Sequence, residues 1–170
     1  MQKTLYILRH AKAEALAPGG EDHDRPLAER GFREASQLGK YMMGQHLWPE
    51  KILCSTATRT RQTWQQVQDV FPQTIPIHYE EKLYHASAPE IGRIIGYEAD
   101  TISKLMVVGH NPGLHEICLR LAKDGDNKLR NQITMKFPTC SFVEVHFDGS
   151  WRDLGTADTA LIRFITPDSL

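Results

Sequence analysis

A chain of 170 residues with 41% hydrophobic and 24% charged residues has the composition of a soluble globular protein and is long enough to bury one core. Its formal net charge of −1 gives no overall attraction to nucleic acid or to a membrane, so neither is an expected partner and any anion site must be local. Three widely spaced cysteines, with no signal peptide or long apolar run, predict one cytoplasmic domain over residues 1–170.

The first half of the chain alternates short apolar runs with amphipathic segments. Residues 4–8 form a continuous apolar run, which is typical of a strand buried on both faces. A loop rich in Gly, Pro and Asp follows. Helical spacing of apolar residues then predicts helices over 28–46 and 57–71, and short apolar runs predict strands over 51–54 and 75–79.

The second half adds another strand–helix pair and then two strands. Ser87 and Glu90 match a capping box, which predicts the start of a helix, and Asp148-Gly149 is a hairpin signal. The remaining predicted elements are a strand over 105–108, a helix over 112–122 and strands over 143–147 and 159–165. This order predicts a three-layer α/β/α sandwich with a mainly parallel sheet and antiparallel C-terminal edge strands.

Polar residues follow three of the predicted strands directly. The first strand ends in Arg9-His10, the strand over 105–108 is followed by Gly109-His110, and the strand over 51–54 leads into a helix that carries Arg59. In open α/β sheets, ligands bind beyond the carboxyl ends of the parallel strands. We therefore expect two histidines and two arginines to meet at one edge of the sheet.

Two of these junctions also begin helices. Ser55 or Thr56 can cap the helix that carries Arg59, and Asn111 followed by Pro112 can begin the helix after the second histidine. A cation near a helix N-terminus is disfavoured by the helix dipole unless an anion binds between them. A phosphate, which can share its oxygens among guanidinium groups, is the natural candidate.

Each of these residues also has an ordinary structural interpretation. Arg59 and its neighbour Arg61 could both be solvated helix residues, and His110 could bond only a backbone carbonyl. His115 begins an HExx sequence, but Leu119 stands where a zinc protease needs histidine, and the cysteines lack metal-site spacing. No nucleotide-binding loop is present, so we expect neither a metal nor a cofactor.

Taken together, the motifs resemble the histidine phosphatase superfamily, whose hallmark is an RHG-type motif after the first strand. The segments RHAKAE, DHDRPLAERG and VVGHNPG, on a chain this short, are most similar to the SixA-type branch of bacterial phosphohistidine phosphatases. The resemblance extends over nearly the whole chain and implies a phosphoglycerate mutase-like fold. Ala11 replaces the usual glycine of the motif, but it is small enough to keep the turn close to a phosphate.

The resemblance implies a role for each matched residue. His10 would be the nucleophile that forms a phosphohistidine intermediate, and Arg9, Arg59 and His110 would bind the phosphate, with no metal. The implied substrate is a protein phosphohistidine, such as that of a histidine-containing phosphotransfer domain in a signalling pathway. No separate lid domain fits between residues 63 and 105, so we expect an open pocket.

The proton donor and the substrate leave alternatives open. Glu80 and Glu81 follow the third strand, and Glu81 is the candidate donor, although the two could equally be a solvated pair. Glu90 is explained by its capping box. The alternative substrates are a small phosphoester or a phosphoserine, and a mutase is disfavoured because its larger insertions are absent. A non-catalytic phosphate- or phosphopeptide-binding module would need the arginines but not a free nucleophile.

Overall fold

Six strands form one mixed sheet in the part of the chain that the structure describes. The structure is a computed structural model, and it describes residues 1–123 and 127–170. The strands are β1 (Gln2–Arg9), β2 (Lys51–Ser55), β3 (Ile77–Glu80), β4 (Lys104–Gly109), β5 (Phe142–Asp148) and β6 (Thr159–Ile165). Their order across the sheet is β3-β2-β4-β1-β5-β6. β5 runs antiparallel to β1 and β6, whereas the other neighbours are parallel, which confirms the predicted mixture.

Five α-helices cover the two faces of this sheet within the described residues. They are α1 (Glu29–Gly44), α2 (Thr58–Gln68), α3 (Ala88–Gly96), α4 (Gly113–Leu121) and α5 (Asn127–Met135). The buried residues of α1 and α2 belong to one apolar cluster, and those of α3, α4 and α5 belong to a second cluster. The predicted three-layer α/β/α sandwich is therefore confirmed. None of the described helices is both long enough and apolar enough to cross a membrane.

The central strand β1 explains why its sequence is a continuous apolar run. Leu5 and Ile7 pack into the cluster under α3, α4 and α5, whereas Tyr6 and Leu8 pack into the cluster under α1 and α2. Because successive side chains of a strand point to opposite faces, a strand covered by helices on both sides must be apolar throughout.

The register of the parallel strands sets the position of the candidate site. β1 pairs with β4 so that Arg9 lies opposite Gly109, and the His10 backbone N–H donates to the Gly109 carbonyl at 3.1 Å. His10 and His110 therefore leave the sheet side by side. β2 lies on the other side of β4, which places Ser55 next to them.

The predicted caps of two helices were wrong. α2 begins after Ala57 and α4 begins after Pro112, and neither helix start has a side-chain cap hydrogen bond. Ser55 and Asn111 are engaged elsewhere: the Ser55 hydroxyl bonds His110, and the Asn111 amide donates to the Phe137 carbonyl at 3.1 Å. The Ser55 hydroxyl also accepts a long hydrogen bond, of 3.4 Å, from the N–H of Ala57, the residue before α2, but neither side chain caps a backbone N–H within its own helix. By contrast, the capping box of Ser87 and Glu90 is confirmed.

Two other features differ from the expectation. α5 was not predicted, because its sequence NKLRNQITM is mostly polar and Ile133 is its buried residue, so the apolar periodicity is weak. Asp148-Gly149 does not form a tight hairpin. Gly149 has a φ of 130°, and the chain then makes a one-turn helix at Trp151–Asp153 before β6 begins.

Candidate active site

His10 is held with its Nδ1 atom against a backbone carbonyl. Nδ1 lies 2.7 Å from the Ala11 carbonyl oxygen, and the Ala11 N–H donates to Thr63 Oγ1 at 2.9 Å. Because a carbonyl oxygen can only accept, Nδ1 must carry the proton, and the neutral ring keeps its lone pair on Nε2. Burial lowers the pKa of His10 to about 4, assisted by the charges of Arg59 and Arg9 and opposed by the Ala11 hydrogen bond.

His110 faces His10 across a short gap. The two ring centroids are 5.3 Å apart, and both residues are buried. His110 Nε2 lies 2.7 Å from the Ser55 hydroxyl, whereas its Nδ1 is buried without a hydrogen-bond partner among the described residues. Burial, followed by the charges of His10 and Arg59, lowers the pKa of His110 to about 2. Both imidazoles are therefore neutral at neutral pH.

Arg9 and Arg59 bring two permanent cations to the same place. Arg9 Nη1 donates to the Phe137 carbonyl at 2.8 Å, and Arg59 Nη1 donates to the Asp22 carbonyl at 2.8 Å. The Nε atoms of both arginines are buried and have no partner in the described part of the chain. Burial and the charge of Arg59 lower the pKa of Arg9, which reflects how close the cations are. Two close cations with unused donors favour a bound anion.

Asp22 connects several of these groups and was not singled out in the sequence. Its Oδ2 accepts from Arg59 Nη2 at 3.1 Å, its Oδ1 accepts from Arg25 Nη1 at 2.9 Å, and the Tyr84 hydroxyl donates to the same carboxylate. These contacts, the Tyr84 hydrogen bond first, hold the pKa of Asp22 well below its usual range. Asp22 lies in the loop before α1, and the motif DHDRPLAERG contains it. It is therefore the carboxylate that orients Arg59.

Aromatic side chains form the rim beside His110. The Tyr84 ring meets His110 edge to face at 5.5 Å and His23 at 4.8 Å, and His85 lies against Tyr84 at 3.9 Å between centroids. A cavity of about 260 Å³ opens here, lined by Tyr84, His85, Ala86, Ser87, His110, Asn111, Pro112 and Glu116. His23, in the loop before α1, also reaches the edge of the site, where its Nε2 lies 2.8 Å from Thr56 Oγ1.

The two candidate proton donors lie apart from this cluster of contacts. Glu80 accepts from the Lys82 backbone N–H at 3.0 Å and lies 3.7 Å from His78, so it serves as the cap of the one-turn helix Glu81–Leu83. Glu81 is exposed at the first position of that helix, three residues before Tyr84. The structure thus brings together His10, Arg9, Arg59 and His110, but it leaves Glu81 on the surface.

The remaining groups singled out in the sequence lie away from the site. Arg61 is exposed and lies over the Tyr79 ring at 4.3 Å. His115 Nε2 donates to the Ile133 carbonyl at 2.7 Å, and its ring stacks on Phe137. Within residues 1–123 and 127–170, no group of three His, Cys, Asp or Glu side chains is arranged to hold a metal ion.

Comparison with known sequences gives a family match. The sequence profile of the histidine phosphatase superfamily (branch 1) matches residues 5–91. A Mycobacterium tuberculosis protein, uncharacterized protein Rv1276c, is 36% identical over 162 residues, which cover 94% of this chain and 99% of the relative. A Mycobacterium leprae protein, uncharacterized protein ML1117, is 33% identical with the same coverage of each chain.

Comparison with solved structures points to the same group. The candidate phosphohistidine phosphatase SixA of Agrobacterium tumefaciens is 32% identical, with a TM-score of 0.84 and coverage of 97% of this chain and 98% of that one. The corresponding protein of Nakamurella multipartitia is 27% identical, with a TM-score of 0.86 and coverage of 98% and 97%. A SixA structure in complex with tungstate shares the fold at 18% identity, with a TM-score of 0.77 and coverage of 97% of both chains.

Proposed function

Because the chain belongs to the histidine phosphatase superfamily, in its SixA-type branch, it is a phosphatase, and we propose that it removes phosphate from protein phosphohistidine through a phosphorylated His10. The observation that carries this proposal is the hydrogen bond from His10 Nδ1 to the Ala11 carbonyl. It fixes the proton on Nδ1, so that Nε2 has the lone pair that a nucleophile needs.

The groups around His10 suit a transferring phosphoryl group. Arg9 and Arg59 each have an unused buried Nε–H, and these donors would bind equatorial oxygens of the phosphate. If the Ser55 hydroxyl donates to His110 Nε2, the proton of His110 lies on the unpartnered Nδ1, which is then a third donor. Fixed donors of this kind stabilise the charge that spreads over the phosphoryl oxygens in the transition state.

The reaction then consists of two displacements at phosphorus. His10 Nε2 attacks, a P–Nε2 bond forms, and the bond from phosphorus to the substrate imidazole breaks. The leaving nitrogen takes a proton from an acid such as Glu81 or from solvent. Water then attacks phosphorus, the P–Nε2 bond breaks, and inorganic phosphate leaves with restoration of neutral His10. The arginines supply the positive charge that a divalent metal supplies in other phosphoryl transfers, so we propose that no metal is needed.

A protein substrate fits the surroundings of the site. The rim is formed by single loops and one-turn helices rather than by an inserted domain, and the cavity beside His110 opens between them. An imidazole leaving group also makes little demand on a surface acid such as Glu81, because a phosphoramidate nitrogen accepts a proton readily. The free, buried thiols of the three cysteines favour a reducing compartment, and we place the activity in the cytoplasm.

The proposal is tested with a substrate panel assayed in EDTA. The panel contains a phosphohistidine protein, phosphoramidate, a phosphoserine peptide and a sugar phosphate. We expect the phosphohistidine protein to be hydrolysed with the highest kcat/KM and the wild-type rate to survive the chelator. His10→Ala should abolish turnover and the acid-labile phosphoenzyme seen after rapid quenching, whereas His110→Ala should lose about 3–4 kcal/mol of transition-state stabilisation.

Arg61→Ala is the matched control, because it removes a cation from the same helix outside the site and should leave every rate unchanged. A preference for the sugar phosphate or the phosphoserine peptide would contradict the proposed substrate. Phosphate binding without turnover of any member of the panel would instead favour a binding module.

A further inference from the structure

A second cavity, of about 550 Å³, lies in the groove between α3 and α4. We call this surface the α3–α4 groove, and the segment after β5 closes its far end. Its lining residues are Ala88, Pro89, Gly92, Arg93, Ile117, Arg120, Leu121, Lys123, Arg152, Leu154 and Gly155. The groove is outside the group of side chains assigned above to catalysis.

Four exposed cations surround this groove without carboxylate partners. In the described part of the chain, Arg93, Arg120, Lys123 and Arg152 form no ion pair within 4.0 Å, and Lys123 Nζ donates only to the Gly155 carbonyl, at 3.0 Å. The chain carries a net charge of −1, so four cations around one cavity, with no ion pair to a described residue, are a local concentration of positive charge. Such a patch raises the local concentration of anionic partners.

Among the described residues, two carboxylates near the groove have hydrogen-bond partners of their own. Glu90 accepts two hydrogen bonds from Ser87, and these, followed by the charge of Arg93, lower its pKa. Asp100 accepts a hydrogen bond from the Trp151 N–H at 3.1 Å, and this bond, followed by other contacts that include the charge of Arg152, lowers its pKa. Both carboxylates stay ionised, so they offset part, but only part, of the positive charge that the four cations bring to the groove.

The floor of the groove is apolar. Ile117, Leu121 and Leu154 line it and are buried in the cluster beneath α3 and α4. A cationic rim around an apolar floor is the arrangement of a protein-binding surface, in which charge selects the partner and apolar contact holds it. If the cations of α3 and α4 only contacted water, the two helices would not need a cavity between them.

The groove adjoins the small cavity beside His110. Ser87 and Glu116 line the small cavity beside His110, and the next residues on both helices, Ala88 and Ile117, line the α3–α4 groove. Arg120 lies seven residues beyond Gly113 on α4, which is roughly 10 Å along the helix axis. A small phosphoester bound at His10 is too short to reach these cations, whereas a protein substrate is large enough to contact them.

We propose that the α3–α4 groove docks an acidic surface of the phosphorylated protein substrate, next to the phosphohistidine that enters the site. This inference rests on the proposed function and adds the chemistry of the partner: carboxylates that flank the phosphorylated side chain and an apolar residue between them. Docking of this kind raises kcat/KM for the protein and leaves small substrates unaffected, because they do not contact the groove.

The test reverses two of the charges. Arg120→Glu with Arg152→Glu is compared with Arg33→Glu with Lys40→Glu, which makes the same change in net charge on α1, on the opposite face of the sheet. The kcat/KM of each enzyme is measured on phosphoramidate and on a phosphohistidine protein with acidic residues around the phosphorylated side chain. We expect the groove variant to lose at least tenfold on the protein, mainly through KM, and less than twofold on phosphoramidate.

The rate on the protein substrate should also fall with added salt in the wild type and much less in the groove variant, since surface charges are screened.

Equal rates of the wild type and the groove variant on the protein would overturn the docking site alone. A wild type that hydrolyses phosphoramidate but not the phosphoprotein would overturn both the proposed substrate and the groove. Competition by a single-stranded oligonucleotide stronger than competition by the unphosphorylated acidic protein would overturn the assignment to a protein. Equal thermal unfolding of all variants excludes a folding defect.

Discussion

Asp22 illustrates how a single side chain can control the charge in the site. Its carboxylate lies between Arg59, Arg25 and the Tyr84 hydroxyl, so in the free enzyme it pairs with Arg59, one of the two arginines that would bind the phosphate. It therefore orients Arg59 and at the same time repels the substrate anion. Arg25 is a neighbour in sequence, but Arg59 and Tyr84 are 37 and 62 positions away along the chain, so only the folded structure reveals those two contacts.

Asp22→Asn should separate these two effects. Loss of the negative charge should tighten binding of inorganic phosphate, seen as a lower inhibition constant, because the repulsion is removed. Loss of the charged hydrogen bonds should leave Arg59 poorly oriented and lower kcat about tenfold, which corresponds to about 1.4 kcal/mol. A steady-state measurement of kcat, KM and phosphate inhibition distinguishes the outcomes. A variant with unchanged kcat and unchanged inhibition would show that Asp22 has neither role.

The proton donor can be identified by comparing two substitutions. If Glu81 is the general acid, Glu81→Gln should lower the rate on a phosphoester roughly 10²–10⁴-fold and affect a phosphohistidine protein far less, because only the ester needs its leaving oxygen protonated. His85→Gln is the paired variant, since His85 lines the cavity beside His110 while Glu81 is exposed. Equal, large losses on both substrates with Glu81→Gln would contradict the preference for phosphohistidine.

An ester rate that falls with His85→Gln but not with Glu81→Gln would reassign the donor to the rim of the cavity. No loss with either substitution would leave solvent as the proton source.

At the scale of elements, much of the site was predictable because it depends on strand ends. A parallel sheet brings the residues after its strands to one edge, and the motifs after β1 and β4 could be read directly from the sequence. The caps were not predictable in the same way. Ser55 and Asn111 are good capping residues by type, but tertiary partners at His110 and Phe137 compete for their side chains.

The start of α4 depends on a close approach that only glycine permits. A Cβ atom at Gly113 would lie 2.1 Å from the Ala86 carbonyl oxygen and 2.9 Å from Ile91 Cδ1. Gly113→Ala should therefore push α4 away from the segment that follows Tyr84 and His85, at a cost of about 1–3 kcal/mol. Thermal unfolding should show a Tm lower by several degrees, and kcat/KM should fall because His110 moves with the helix.

Gly44→Ala is the control for this substitution. A Cβ atom at Gly44 meets no heavy atom within 4 Å, and Gly44 is the last residue of α1, so alanine should leave stability unchanged or raise it by up to about 1 kcal/mol. Equal Tm values for the two variants would show that the close contact at Gly113 is relieved without cost.

At the scale of the whole molecule, the sequence predicted the layers but not every element. The short continuous apolar runs specify strands with helices on both sides, and this part of the prediction is confirmed by the two apolar clusters. α5 was missed because only Ile133, fully buried, and Leu129, partly buried, pack its inner side against the apolar cluster in the described structure, so the helix owes its position to its neighbours rather than to its own pattern. The partners of Asp22 were missed for the same reason, since they depend on the packing of distant loops.

The two buried histidines link the stability of the whole molecule to pH. Their pKa values are lowered to about 4 for His10 and about 2 for His110, whereas an unfolded histidine has a pKa of about 6.5. Below pH 6.5 the unfolded chain therefore binds protons that the folded chain does not, and the free energy of unfolding falls as the pH falls. Asp22, whose pKa is lowered, acts in the same direction only below about pH 4, where its unfolded form becomes protonated.

Between pH 6.5 and pH 5, the change in the free energy of unfolding therefore reports on the two buried histidines and not on Asp22. By pH 5 each should have reduced the free energy of unfolding by about 2 kcal/mol relative to pH 7. Urea denaturation at several pH values measures this slope, and replacement of His10 and His110 together by glutamine should flatten it, because glutamine binds no proton in either state. If the double variant instead lost stability with pH as steeply as the wild type, the acid sensitivity would originate outside the candidate active site.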